Sequence, residues 1–177
     1  MFAKYHYTDE ELKTLLKIIT ILVDTREKAN EHITVYFTKK DIPYKKLNFG
    51  DYSFYLPANP NLGIPRDTYF TNNISIERKN FLEELSSNLT NGRQQFETEL
   101  IKSSQSKLIL MVENANFADI FNNKYNTGYN STAFIATLKT YEARYNLNIN
   151  FITAGLSGSF IHSTFYYHLR ESLLQSA

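Results

Sequence analysis

The chain has 177 residues, enough for one domain that buries a core without staples. It holds no cysteine, which excludes disulfides and thiolate zinc sites, and no apolar run approaches the ~18 residues that a membrane span needs. Lys+Arg 19 against Asp+Glu 18 leaves a net charge of +1, so the basic excess of a protein that coats nucleic acid is missing and any DNA contact must come from a local patch. The opening stretch MFAKYHYTDEELKTLL is too charged for a signal peptide. With the absence of cysteine, this predicts a cytoplasmic protein.

In chain order, Thr8–Lys17 predicts a helix. Thr8 and Glu11 have the spacing of a capping box, and Leu12, Leu15 and Leu16 form its apolar face. KIITILVD reads as a buried strand ending at Asp24, and ITVYF (Ile33–Phe37) as another, rich in β-branched residues. In GDYSFYL (Gly50–Leu56), alternation sends Tyr52, Phe54 and Leu56 one way and Asp51, Ser53 and Tyr55 the other. The proline-rich Pro57–Asp67 stretch predicts a hairpin tip, with Thr68–Lys79 returning as one strand. Helices are predicted from Asn80, with Phe81, Leu82, Leu85 and Leu89 inward, and after Gly92, with Phe96, Leu100 and Ile101. KLILMVE and NINFIT read as strands on either side of a helix with Phe134, Ile135, Leu138, Tyr141 and Tyr145 inward. A last helix carries Ile161, Phe165, Leu169 and Leu173 on one stripe. This order predicts an α/β fold, a mixed central β-sheet flanked by helices, with no linker to divide residues 1–177 into two domains.

Charged clusters end three apolar strands: Asp24-Thr25-Arg26-Glu27, Gly50-Asp51-Tyr52 and Glu77-Arg78-Lys79. Charge at such places is costly unless it is paired or bound to metal. Alternation puts Glu77 and Lys79 on one face. Asp51 lies beside them if Gly50–Leu56 and Thr68–Lys79 form a hairpin. Carboxylates brought together repel one another and are stable as anions mainly around a divalent cation. Mg²⁺ or Mn²⁺ would activate water and neutralise a phosphodiester, and a lysine would orient that water. The residues thus point to metal-assisted phosphodiester hydrolysis.

GDY followed by IERK, and preceded by VDTRE, resembles the signature of the XPF/Hef nucleases, a branch of the PD-(D/E)XK superfamily with a restriction-endonuclease-like core. That signature runs GDx, a gap, then ERKxxxD. Here Glu83 stands at its last acidic position, a departure with a longer side chain. The resemblance extends over about residues 18–175 and is greatest to the compact members from bacterial viruses and their hosts, which would place the protein in a bacterial cell. It implies Asp51 and Glu77, helped by Asp24, as Mg²⁺ or Mn²⁺ ligands, Lys79 and Arg78 as further catalytic residues, and branched DNA as substrate. A homodimer is also implied, with the aromatic C-terminal helix as one candidate interface. The tandem helix–hairpin–helix modules of larger relatives have no counterpart in these residues.

Other residues admit two readings. Asp24 is a metal ligand or supports one, or it caps a turn. Glu27 binds metal or pairs with Arg26, which is itself a candidate DNA contact. Arg78 braces a carboxylate or touches phosphate. Arg93 contacts the DNA backbone or pairs with Glu97. Lys45 and Lys46, in a basic run with Lys39 and Lys40, meet phosphates or water. Gly155–Ser159 opens a helix but lacks the ending of a nucleotide-binding loop, so no nucleotide cofactor is expected. His162 and His168 do not share a helical face and read as structural or exposed. Two rival functions stand beside a branched-DNA nuclease: a catalytically inactive DNA-binding partner, and a nuclease for unbranched DNA.

Overall fold

A computed structural model describes residues 6–24, 29–47, 51–103 and 105–175. Its contacts divide the chain into two units. One runs to Thr71 and resumes at Gly158; the other is Asn72–Ser157.

The first unit begins with helix α1 (Asp9–Lys17), capped as its sequence predicts. Thr8 Oγ1 accepts from the Glu11 amide, and Glu11 Oε2 accepts from the Thr8 amide. Leu12, Leu15 and Leu16 are buried. Strand β1 (Thr20–Asp24) is buried along its length. It lies between β2 (Tyr44–Leu47), which runs parallel to it, and β3 (Tyr52–Leu56), which runs antiparallel. A parallel pair needs a crossover, and helix α2 (Glu31–Lys39) supplies it.

Helix α2 corrects the expectation of a strand at Ile33–Phe37. A strand would place Ile33, Val35 and Phe37 on one face. Instead Ile33 and Phe37, one helical turn apart, are buried, while Val35 is 47% exposed. The β-branched run is a weak local preference, overridden by burial.

Strand β3 forms the expected hairpin with the short β4 (Thr68–Tyr69). The predicted single strand Thr68–Lys79 is therefore two strands. Beyond β4, Phe70 still follows β3, donating its amide to the Phe54 carbonyl and stacking its ring on Phe54. Turn residues Thr71-Asn72-Asn73 then separate β4 from the strand that follows. Helix α7 (Ser157–Leu174) supplies the unit's other apolar surface: Ile161, Phe165, Leu169 and Leu173 are buried, and Phe165 packs on Phe54. Gly158 lies against Tyr36, so closely that a Cβ there would sit 2.7 Å from Tyr36 Cδ1.

In the second unit, β5 (Ile74–Lys79), β6 (Lys107–Glu113) and β7 (Asn148–Ile152) are parallel, with β6 in the middle. Helices α3 (Leu82–Leu89), α4 (Arg93–Lys102), α5 (Phe117–Phe121) and α6 (Ser131–Tyr145) connect them. Leu85, Leu89, Phe96, Leu110, Phe134 and Leu138 belong to their common core. Phe81 and Ile101 are exceptions to the predicted apolar faces. Phe81 caps α3 and Ile101 is near the end of α4, and both are more than half exposed. The chain is α/β with mixed strand directions and flanking helices, as its element order predicts.

Candidate active site

In the first unit, the register Val23↔Tyr52 continues so that Asp24 and Asp51 stand opposite each other, the Asp24 amide donating to the Asp51 carbonyl at 2.9 Å. Opposed residues of an antiparallel pair send their side chains to the same face, so the strand ends bring two carboxylates together. Asp24 is buried and Asp51 half-buried. Arg26, Glu27 and Gly50 lie outside the described residues.

In the second unit, the end of β5 carries charge on both faces. Lys79 Nζ donates to Glu77 Oε1 at 2.6 Å and is 3.8 Å from Glu84 Oε1. It also stands 5.7 Å from the centre of the Phe96 ring. Glu84 Oε2 accepts from the Asn80 amide at 2.9 Å, which fixes the strand-to-helix turn. The other face is closed. Arg78 donates from Nη2 to Glu113 Oε2 at 2.8 Å with both side chains 1% exposed. The same Nη2 donates to Asn80 Oδ1, and Asn114 Nδ2 donates to the Asn80 carbonyl. Of its two sequence readings, Arg78 takes the carboxylate-bracing one here. Among the described residues, no three His, Asp or Glu side chains gather into a group that could hold a metal ion.

Residues 23–163 match the ERCC4 domain. The chain belongs to the ERCC4 domain family. Among solved structures, XPF from Aeropyrum pernix is similar at 16% identity and a TM-score of 0.60, covering 86% of this chain and 63% of that one. The complex of XPF from Aeropyrum pernix with DNA is similar at 14% identity and the same TM-score of 0.60, covering 86% of this chain and 66% of that one. These likenesses show an XPF nuclease-like fold, and the chain spans less than two thirds of the length of the structures it matches. No curated protein matches the chain.

Within this ERCC4 domain the remaining candidates take separate places. Glu83 accepts from the Asn126 amide at 3.0 Å, so a backbone contact engages it. Arg93 Nε donates to Glu97 Oε1 at 3.1 Å, the i,i+4 pair that was its alternative reading. Glu97 also accepts from the Tyr141 hydroxyl at 2.6 Å. That hydrogen bond, and then Arg93, hold the Glu97 carboxyl below its ordinary pKa. Burial, and then Glu97, push the Tyr141 hydroxyl well above its own. Lys45 and Lys46 are exposed on β2.

His162 is partly buried on α7, which lowers its pKa and favours the neutral ring, while His168 stands edge-on to Phe54. Both are partly buried. The apolar stripe of α7 is buried, while its Tyr167 and Leu174 are exposed. Among the described residues, no helix is long and apolar enough to cross a membrane.

Sequence reasoning missed Glu113 and Glu84. Glu113 ends the apolar run KLILMVE as the other clusters end theirs, so the same signal marks it. Nothing local distinguishes Glu84 from its neighbour Glu83.

Proposed function

We propose that this chain is a metal-dependent DNA endonuclease that cuts one strand of branched DNA, such as a flap, fork or junction. The observation that carries the reading is chemical. Within the residues matched to the ERCC4 domain, one unit sets two carboxylates opposite each other at strand ends, and the other sets a carboxylate and an ammonium on one strand face. The similarity to an XPF structure in complex with DNA supports DNA as the substrate.

A divalent cation suits this donor set, because Asp24, Asp51 and Glu77 offer only carboxylate oxygens, the ligands Mg²⁺ and Mn²⁺ prefer. Asp24 and Asp51 would be ligands from one unit, Glu77 is the candidate carboxylate of the other, and a bound ion would supply Lewis acidity toward the phosphodiester. Lys79, already held by Glu77, would orient the attacking water and offset charge on the phosphate. Arg78 would act from behind, by keeping the end of β5 fixed through Glu113. The protein would act in the cytoplasm and as a homodimer, and sedimentation would test the dimer.

The test is cleavage of labelled flap, fork, Holliday junction and linear duplex with Mg²⁺ or Mn²⁺. Branched substrates should be nicked, and Asp51→Asn or Glu77→Gln should abolish the nicks. Undiminished cutting by those variants removes the assignment, and preference for linear duplex removes the branched substrate. A second reading, an inactive DNA-binding partner, is favoured by the 2.6 Å contact of Lys79 with Glu77, which would serve equally as a structural ion pair. Calorimetric titration with Mn²⁺ separates the two, since an inactive partner would have no specific site that Asp51→Asn removes.

A further inference from the structure

On the first unit's sheet, the face that carries Asp24 and Asp51 also carries Ser53, Tyr55, Tyr69 and Lys45. The registers Leu22↔Ser53, Thr20↔Tyr55, Leu22↔Lys45 and Tyr55↔Tyr69 fix this. The Tyr55 and Tyr69 rings stack at 5.0 Å with 16° between their planes. Lys45 Nζ lies 5.0 Å from the centre of the Tyr55 ring. Tyr55 is buried at 3% exposure while Tyr69, on the short strand β4, is 55% exposed. The row thus ends in an aromatic ring braced on its inner side and open to water on its outer side.

We propose that Tyr69, supported by Tyr55 and Lys45, is a stacking platform for an unpaired base of single-stranded DNA. Every base has a π-face, so an exposed ring held flat recognises single strands without reading sequence. Cross-strand pairing accounts for the contact between the tyrosines, but a β-branched residue at position 69 would serve that purpose and expose less apolar surface. Charge favours a nucleic acid as occupant. Lys45, exposed on the same face of the sheet, is ready for a phosphate. Tyr55, and more weakly the opposing charge of Asp67, raise the pKa of the Lys45 ammonium. Asp67 Oδ1 is itself engaged by the Ala58 amide at 2.9 Å.

Placement relates the platform to the acids. Asp51 and Tyr55 are four residues apart on one strand, about 13 Å at the rise of a β-strand. That is roughly four stacked nucleotides at ~3.4 Å each. A strand cut near Asp51 would therefore lay an unpaired segment over Tyr69. The relation to cleavage rests on the nuclease reading, whereas the platform itself does not.

Binding of fluorescein-labelled (dT)₁₂ and of a blunt duplex, measured by anisotropy in EDTA, tests the proposal without metal or cleavage. Tyr69→Ala should weaken (dT)₁₂ binding roughly tenfold, within the range of one base–aromatic stack, and leave duplex binding within twofold. Tyr69→Phe, which keeps the ring, should bind like wild type. Tyr69→Leu, which keeps apolar cover over Tyr55 without a π-face, should bind like Tyr69→Ala, so loss of the hairpin contact is controlled. Unchanged (dT)₁₂ binding by Tyr69→Ala, equal losses on both probes, recovery by Tyr69→Leu, or no binding of (dT)₁₂ by the wild type would each overturn it. A protein that binds (dT)₁₂ through Tyr69 yet cuts nothing with Mg²⁺ would refute the nuclease and keep the platform.

Discussion

Arg78 and Lys79 are consecutive at the end of β5, and each is paired with a glutamate, yet the pairs differ in kind. The Arg78–Glu113 pair has both side chains 1% exposed and is tied further to Asn80. Lys79 and Glu77 are 9% and 23% exposed, with a second carboxylate, Glu84, only 3.8 Å away. Strand alternation separates them, since neighbours project to opposite faces. The closed pair reaches from β5 to β6 and so fixes architecture. The open pair keeps access to solvent, which a group that must meet phosphate and water requires. One tripeptide thus holds a structural brace and a candidate reactive group back to back.

The largest effect that would sharpen this contrast is on cleavage. Glu77→Gln should reduce nicking at least 10²-fold, the scale of losing one electrostatic group at a reacting phosphate. It should shift stability by only about 1 kcal/mol, because the pair is partly solvated. Large unfolding with the loss would break the distinction. Next comes Glu113→Ala, which removes the buried carboxylate that pairs with Arg78 and should cost about 3 kcal/mol in denaturant melts. The double replacement Arg78→Met with Glu113→Leu should recover most of that, because apolar side chains remove both desolvated charges. Failure to recover would mean that Arg78 does more than brace. Smaller again is Gly158→Ala, where a new Cβ would meet Tyr36 at 2.7 Å. Overpacking of that kind costs about 1–3 kcal/mol. It touches no charge, so cleavage below its melting temperature should match wild type and calibrate what pure destabilisation does.

Much of this arrangement was legible beforehand, and the gaps have physical causes. The box at Thr8 and Glu11 and the stripe Ile161, Phe165, Leu169 and Leu173 were readable because helical contacts are local in sequence. Ile33–Phe37 was misread because β-branched residues favour strands, whereas the parallel β1–β2 pair demands a crossover helix there. The strand-end charges were found, and the hairpin expected for Asp51 begins where β3 pairs with β4. Its opposition to Asp24 follows from the β1–β3 register, a non-local fact that no short window contains. Five-residue α5, with its Asn116–Asp119 capping box, is too short to show periodicity.

The smallest effect concerns Arg93, the residue left between structure and DNA contact. It shares Glu97 with Tyr141, so the comparison made on β5 can be repeated on α4. Tyr141→Phe removes a hydrogen bond to a carboxylate and should cost about 1 kcal/mol near neutral pH, solvent at Glu97 reducing the full value. The sign with pH follows from Glu97, whose folded pKa is lowered by Tyr141 and Arg93. A lowered carboxylate pKa contributes stability that is present above the ordinary carboxylate pKa and is lost as pH falls through the folded value. The gap between wild type and Tyr141→Phe should therefore be widest near neutrality and shrink in acid. A gap independent of pH would show that Tyr141 acts through packing alone. Tyr141→Phe leaves the Arg93–Glu97 pair in place, so low-salt DNA affinity should hold while stability falls.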